Sequence, residues 1–284
     1  MCWKILSGQH RDRLGEGILW STRRSSILWV DIVGQWLQEL SLETGLMQRW
    51  AMPERIGWVV ERKSGDLLVG LKGGVAALTL NPFHLNYVCA PEVDRPQNRL
   101  NDAAVDVQGN LWFGTKDDND EQASGALYRM TTDFGYSRQD DGYRVPNGPV
   151  FSADGRRFWH SDSSARIVYI FDLDPHGNVV RRNEFLRFPQ NWGLPDGMSL
   201  DVEGGLWIAH WGGGRVSRFT PDAKLDRAVA LPTANITNVA FGGKGLDRMF
   251  VTSAQGDLPD GSYAGALFEI DPAVMGLAPI PFGG

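Results

Sequence analysis

The sequence predicts an all-β protein, a six-bladed β-propeller with four-stranded antiparallel blades, from two observations. A short phrase recurs six times, and a hydrophobic, often tryptophan-containing strand pattern follows each copy. Equivalent positions of successive copies are 41, 44, 46, 49 and 41 residues apart. Repetition with such a period is typical of β-propellers. Six such repeats use all 284 residues, so we expect one domain over 1–284.

One position of the phrase, here called the key position, carries a side-chain oxygen in five of the six copies. The key residues are, in chain order, Glu16, Gly57, Asn101, Asn147, Asp196 and Thr237. A propeller places equivalent positions of all blades around one axis. We therefore expect the first four oxygen-bearing residues of this series to converge at one mouth of the central channel.

The strands within a blade are visible in the fifth repeat. It reads MSLDV, LWIAHW and RVSRFTPD, separated by the turns EGG and GGG, and the stretch before residue 196 supplies a fourth strand. Apolar and polar residues alternate between glycine-containing turns, as in antiparallel hairpins, and no useful helical periodicity occurs. Ring closure requires the first strand, near CWKIL, to pair in the same blade as the last strands.

Composition and charge narrow the function classes. No run of 18 apolar residues occurs, so we expect no membrane span. The net charge is −6 without a basic block, which argues against a nucleic-acid partner. The N-terminal residues lack the apolar stretch of a secretion signal, and Cys2 and Cys89 are too few for a disulfide framework. We expect a cytoplasmic protein, a monomer or weak dimer, with two free thiols.

The key residues suggest a cation site. Two carboxylates, Glu16 and Asp196, and the amide oxygen of Asn147 would supply three ligands and leave positions open for water or substrate. The alternative is that Asn and Asp before Gly only form turns. An all-oxygen site suits Ca²⁺, Mn²⁺, Mg²⁺ or Fe²⁺ and tolerates Zn²⁺, so the sequence leaves the metal undetermined.

Other catalytic patterns receive little support. No GxSxG nucleophile elbow and no HExxH motif occur, and the acidic run at 117–120 lacks the spacing of an EF-hand. His160 and His210 occupy equivalent places in successive blades, where we expect them to line strand interiors or contact substrate. Trp192 and Trp211 are candidate platforms for a sugar ring. The remaining repeated tryptophans are expected to pack between blades.

Five segments, in order and at matching spacing, resemble the SMP-30/gluconolactonase/regucalcin (LRE) family over nearly the full length. The segments are GEGILW with ILWVDI, RLNDAAVDVQGNLWFGT, PNGPVFSADGRRFWHSDSSARIVYIFDLD, PDGMSLDVEGGLWIAHWGGGRVSRFTPD and FGGKGLDRMFVTSA. The resemblance implies a six-bladed propeller that binds one divalent metal through Glu16, Asn147 and Asp196. It also implies hydrolysis of a sugar-acid lactone to the aldonic acid.

The resemblance further implies substrate contacts. Arg99 and Asn101 are expected to bind the sugar hydroxyls, and Glu121 is the nearest candidate for an acidic loop residue that reaches the substrate. We predict that Asp196 is the general base that deprotonates water. Asp102 is the alternative base, or a further contact to substrate hydroxyls.

Two other functions use the same scaffold. One is a calcium-binding regulatory or scaffold propeller without turnover, and the other is hydrolysis of a different ester or phosphoester. The polar set Arg99, Asn101 and Asp102 favours an enzyme, because a structural metal needs no arginine fork beside it.

Overall fold

The computed structural model describes residues 3–256 and 263–284, and within them 24 strands form six four-stranded antiparallel sheets. Cys2 lies outside the described residues, and Cys89 is a free, half-buried thiol. The first strands are β1 (Trp3–Ile5), β2 (Gly15–Ser21), β3 (Ser26–Asp31), β4 (Trp36–Ser41), β5 (Met47–Ala51), β6 (Ile56–Glu61), β7 (Leu67–Leu71), β8 (Gly74–Leu80), β9 (Phe83–Cys89), β10 (Asn98–Val105), β11 (Leu111–Asp117) and β12 (Gly125–Met130). The others are β13 (Tyr136–Tyr143), β14 (Pro146–Phe151), β15 (Arg157–Asp162), β16 (Ile167–Leu173), β17 (Val179–Arg187), β18 (Leu194–Leu200), β19 (Leu206–Trp211), β20 (Arg215–Phe219), β21 (Leu225–Ala230), β22 (Ile236–Gly242), β23 (Arg248–Ser253) and β24 (Phe268–Ile270).

The sheets are the blades of a propeller, as predicted. Five blades use four consecutive strands each, from β2–β5 to β18–β21, and the sixth combines β22, β23 and β24 with β1. The prediction that the stretch before residue 196 supplies the fourth strand of the fifth blade is wrong, because that strand is β21 and β17 belongs to the fourth blade. The innermost strands β2, β6, β10, β14, β18 and β22 contact one another in that order, and β22 also contacts β2. This closed ring surrounds the central channel.

The N-terminal strand closes the ring, as predicted. β1 is the outermost strand of the sixth blade and pairs antiparallel with β24, with Trp3 opposite Ile270 and Ile5 opposite Phe268. The Trp3 ring also lies edge-on to Phe268, with centroids 5.8 Å apart. Because the chain ends meet in one sheet, the last blade is held to the start of the chain and its edge is covered.

Tryptophans pack between neighbouring blades, as the repeat pattern predicts. Trp112 of β11 lies 5.0 Å from Phe158 of β15, and Trp207 of β19 lies 6.1 Å from Phe241 of β22, measured between ring centroids. All four side chains are buried. These ring contacts join neighbouring sheets through apolar surfaces between the blades.

The last residues of the chain, 275–284, run across one end of the channel and are here called the C-terminal tail. Val202 in the fifth blade donates its backbone N–H to Met275, and Phe282 donates to Glu61 in the second. The Phe282 side chain is fully buried. The tail therefore ties the end of the chain to blades on opposite sides of the ring.

A 3₁₀ turn at Gln190–Trp192 is the one helical element of the described chain. Within the described ranges, no helix has the length and apolar content that a membrane crossing requires.

Candidate functional site

A β-bulge lies at the key position of every inner strand. The pairing of inner and second strands shifts register between Glu16 and Leu19, Ile56 and Trp58, Leu100 and Ala103, Asn147 and Val150, Pro195 and Met198, and Ile236 and Val239. Bulges re-aim side chains. Gly17 and Gly148, each just after a key residue, have φ of +51° and +80°, a region that favours glycine.

The bulges bring the four predicted oxygen-bearing residues together. Glu16, Asn101, Asn147 and Asp196 are all buried, and all four line one cavity of about 230 Å³ at the channel mouth opposite the C-terminal tail. This volume is below the range of about 300–1,000 Å³ typical of sites for drug-sized ligands. The cavity therefore has room for a small molecule only.

The two other key positions serve the fold. A Cβ atom at Gly57 would lie 2.5 Å from the backbone oxygen of Leu100, so the neighbouring blade leaves room only for glycine. Thr237 donates its hydroxyl to the backbone oxygen of Gly15 at 2.5 Å. The second and sixth blades therefore contribute no key-position oxygen to the cavity.

The Glu16 carboxylate is held from one side. Its Oε2 accepts hydrogen bonds from the backbone N–H of Gly17 at 3.1 Å and from Nδ2 of Asn238 at 3.0 Å. Within the described chain no hydrogen bond reaches Oε1. Burial, followed by the charge of Asp102, raises the pKa of Glu16 to about 8.

Asp196 is the second buried carboxylate of the cavity. Burial, reinforced by the charges of Glu16 and Asp102, raises its pKa well above the usual range. Buried carboxylates near one another are costly without a compensating positive charge. A divalent cation would supply that charge, and the donors present are the hard oxygens that such ions prefer.

A cation in this cavity would need an amide oxygen as its third protein ligand. In the described part of the chain no group of three His, Cys, Asp or Glu side chains is placed to hold an ion. Asn147 lies between the carboxylates in chain order and lines the same cavity. The predicted set of Glu16, Asn147 and Asp196 is thus brought to one place, and its chemistry fits a hard divalent cation.

A hydrogen-bond chain fixes the orientation of the Asn147 amide. Ser163 donates its hydroxyl to the backbone oxygen of Pro195 at 2.5 Å, so its oxygen accepts the Asn147 Nδ2–H at 2.8 Å. The Oδ1 atom of Asn147 accepts Nδ2–H of Asn101 at 3.0 Å. Ser163 therefore turns the amide nitrogen of Asn147 away and leaves its oxygen as the available ligand atom.

Arg99 and Asn101 form a joined pair on the cavity wall. The Arg99 guanidinium donates to Oδ1 of Asn101 at 2.8 Å and, through Nε, to Asp118 at 3.0 Å. Asp118 also pairs with Lys72, at 3.0 Å, and with Arg55. Arg99 is therefore positioned by a carboxylate that three cations share.

Two predicted substrate residues lie elsewhere. Asp102 accepts the backbone N–H groups of Ala103 and Gly148, both at 2.8 Å, and lines a second cavity of about 340 Å³ on the C-terminal tail side. Burial raises its pKa to about 6. Glu121 is exposed, whereas Lys116 and Asp120 of the same region line the site cavity.

One of the four predicted aromatic and histidine residues lines the site cavity, and the other three pack elsewhere in the blades. Trp211 lines the site cavity, whereas Trp192 packs against Phe188 and His210. His160 and His210 are fully buried within their blades. Burial lowers their pKa values, to about 3 for His160 and about 4 for His210, so both are neutral interior side chains.

Five residues of the site are not found by the sequence argument, namely Lys116, Asp118, Asp120, Ser163 and Asn238. A signal exists for the last of them. Asn238 follows the key residue of its repeat, as Asp102 does in the third, and both reach toward the next inner strand. A comparison of the residues next to each key position therefore points to Asn238. Contacts between distant loops have no comparable sequence pattern.

Together the fold and the site define a six-bladed β-propeller with a buried, oxygen-lined cavity at one channel mouth. The chain belongs to the SMP-30/gluconolactonase/LRE-like family, whose model matches residues 14–255.

Similar proteins cover nearly the whole chain. The pentonolactonase XacC of Haloferax volcanii is 34% identical over 93% of this chain and 92% of its own length. The L-arabinolactonase of Azospirillum brasilense is 35% identical over 96% of this chain and 93% of its own. The structure of a calcium-binding protein, regucalcin, from Agrobacterium tumefaciens superposes with a TM-score of 0.93 at 26% identity, covering 99% of this chain and 97% of that one.

Proposed function

We propose that the protein hydrolyses a sugar-acid lactone to the open aldonic acid and that one divalent cation is required. The observation that carries this proposal is the convergence of Glu16, Asn147 and Asp196 on a cavity that Arg99 and Asn101 also line. Relatives of similar length are named pentonolactonase and L-arabinolactonase. The cavity volume of about 230 Å³ suits substrates of that size.

The residues divide between cation and substrate. Glu16, Asn147 and Asp196 would hold the ion, which when bound supplies Lewis-acid polarisation of the lactone carbonyl. The Arg99 guanidinium, held by Asp118, would donate to a sugar oxygen. Both Nδ2–H groups of Asn101 already donate within the protein, so its Oδ1 would accept a sugar hydroxyl. Asp120 is a better candidate than Glu121 for the acidic loop residue that reaches the substrate, because Asp120 lines the cavity.

Asp196 is proposed as the general base. Its buried carboxylate lines the cavity in which the lactone and the attacking water would bind. Asp102 is less suited, since both its oxygens accept backbone N–H groups and it lines the second cavity. A water deprotonated by Asp196 attacks the lactone carbonyl carbon, and cleavage of the ring ester yields the aldonic acid.

The alternative is cation binding without turnover, in keeping with the similar Agrobacterium tumefaciens structure described as a calcium-binding protein, regucalcin. It would use the same three ligands. The test is acid release from a panel of five- and six-membered aldonolactones, with chelator and after addition of Ca²⁺, Mn²⁺, Mg²⁺, Fe²⁺ or Zn²⁺. We expect a rate that chelator abolishes and a metal restores.

Variants separate the two functions. Asp196→Asn should lower turnover by about 10²–10⁴-fold even at saturating metal, whereas the exposed Asp222→Asn is a matched control that should retain activity. A protein that binds the cation yet opens none of the lactones would exclude the enzyme and favour the regulatory propeller.

A further inference from the structure

Lys116 is a buried cation on the cavity wall. It is not among the proposed cation ligands, substrate contacts or general base. Its side chain is 5% exposed and it lines the cavity together with Asn101 and Asp196. In the β10–β11 ladder it lies directly opposite Arg99. Directly opposed residues of paired strands project to the same face of a sheet. Lys116 and Arg99 therefore both reach the substrate cavity.

The partner of Lys116 lies at the cavity rim. Its Nζ pairs with Asp120, whose side chain is 51% exposed. A lysine ammonium has three N–H donors, and in the described chain Asp120 is the one hydrogen-bonding or ion-pairing partner at this nitrogen. Donors therefore remain for a molecule in the cavity. Since burying a cation is costly, a lysine here points to chemistry rather than packing.

We infer that Lys116 is the general acid of the hydrolysis, donating a proton from its ammonium to the ring oxygen of the lactone as the ester bond breaks. This inference rests on the proposed function. Ring opening releases an aliphatic alkoxide, a poor leaving group unless it is protonated as it departs. Asp196 and Lys116 line the same cavity and would serve as base and acid in one turnover.

The proton and electron balance of the step is complete. Asp196 accepts a proton from water, and the hydroxide oxygen forms a bond to the carbonyl carbon. The bond from this carbon to the ring oxygen then breaks, its electron pair stays on that oxygen, and the Lys116 ammonium supplies the proton. Lys116 regains a proton from solvent at the rim and Asp196 releases its proton there. The net change is one lactone and one water to one hydroxy acid.

The charges around Lys116 suit this role. Burial, and then the positive charge of Arg99, lowers the pKa of Lys116 to about 8, while the carboxylates of Asp120 and Asp118 oppose the change. A general acid is most effective when its pKa lies near the working pH. An arginine at this position would keep the charge but could not release a proton near neutral pH.

The test uses Lys116→Ala with added amines and Lys116→Arg. With an aldonolactone that the wild type opens, kcat of Lys116→Ala should fall by about 10²–10⁴-fold. Ethylammonium, which carries transferable protons, should restore part of the rate, and tetramethylammonium, which carries charge alone, should not. Lys116→Arg should lose activity to a similar degree, while Mn²⁺ affinity and melting temperature stay close to wild type. The exposed Lys224→Met is the matched control.

The results separate this inference from the proposed function. If the wild type opens no sugar lactone, the proposed function fails and the assignment of Lys116 fails with it. If the wild type is active, wild-type kcat in Lys116→Arg overturns the assignment alone. It is likewise overturned if both cations rescue Lys116→Ala equally or if neither does. If Lys116→Ala does not fold, Lys116→Arg decides the question.

Discussion

Asn101 donates its amide N–H to the Oδ1 atom of Asn147 at 3.0 Å, which joins the third and fourth blades at the cavity wall. Asn101 also accepts a hydrogen bond from Arg99 at 2.8 Å. One side chain thus connects the proposed substrate contact to a proposed cation ligand. Cation binding and substrate binding are therefore expected to depend on each other.

Asn101→Leu should weaken both functions, because it removes the acceptor of Arg99 and the donor to Asn147 while keeping a similar volume. We expect kcat/KM to fall by about 10²-fold and cation affinity by about tenfold, as for other partners of metal ligands. Steady-state kinetics and calorimetric Mn²⁺ titration measure these effects, with the exposed Asn86→Ala as control. Unchanged cation affinity would show that the bond to Asn147 does not support the ligand.

Ser163→Ala should affect cation binding more than folding. The change removes the acceptor of the Asn147 Nδ2–H, so that only the hydrogen bond from Asn101 to Oδ1 still orients this amide. We expect a loss of about 10–100-fold in cation affinity. Ser163→Thr, which keeps the hydroxyl, should recover most of it. The exposed Ser137→Ala controls for nonspecific effects, and equal affinity in the Ala and Thr variants would contradict the role of Ser163.

The cation set was the part of the site most accessible from sequence. Glu16, Asn147 and Asp196 occupy the same position in their repeats. A propeller places equivalent positions of its repeats around one axis, so these side chains lie close together. The bulges that aim these side chains have no separate sequence mark, although Gly17 and Gly148 follow two of them.

The proposed substrate contacts were harder to predict, because the conformations of the loops determine which side chains reach the cavity. The family resemblance made Glu121 the nearest acidic candidate, yet the turn after β11 exposes Glu121 and places Asp120 at the rim. Lys116 lies one strand away from Arg99, and only the pairing register shows that the two face one cavity. Likewise, the reason for Gly57 becomes visible only when the neighbouring backbone of Leu100 is seen against it.

His160 should make stability depend on pH. Burial, and then the charge of Arg182, lowers its pKa in the folded protein to about 3, against about 6.5 in the unfolded chain. Between these values the unfolded chain binds a proton that the folded protein does not, so the free energy of unfolding falls as pH drops below about 6.5.

Urea unfolding of wild type and His160→Gln at pH 7, 5.5 and 4.5 tests this. The stability advantage of the wild type over the variant should shrink as pH falls, whereas the exposed His176→Gln should show no such trend. An advantage that does not change with pH would contradict a neutral, buried His160.

Phe282→Ala should destabilise the fold without altering the site. The Phe282 ring is fully buried in a core cluster with Trp58 and Phe113, and the tail lies at the channel end opposite the cation ligands. We expect the free energy of unfolding to fall by about 3–5 kcal/mol. Mn²⁺ affinity at a temperature where the variant is folded should match wild type. A large loss of affinity would mean that the tail supports the cavity directly.

The most direct measurement is the position of a bound cation in crystals grown with Mn²⁺, located by its anomalous scattering. We expect one strong peak within about 2.0–2.6 Å of oxygen atoms of Glu16, Asn147 and Asp196. A fully folded protein with no peak between these three residues, or with the ion at another place, would contradict this expectation.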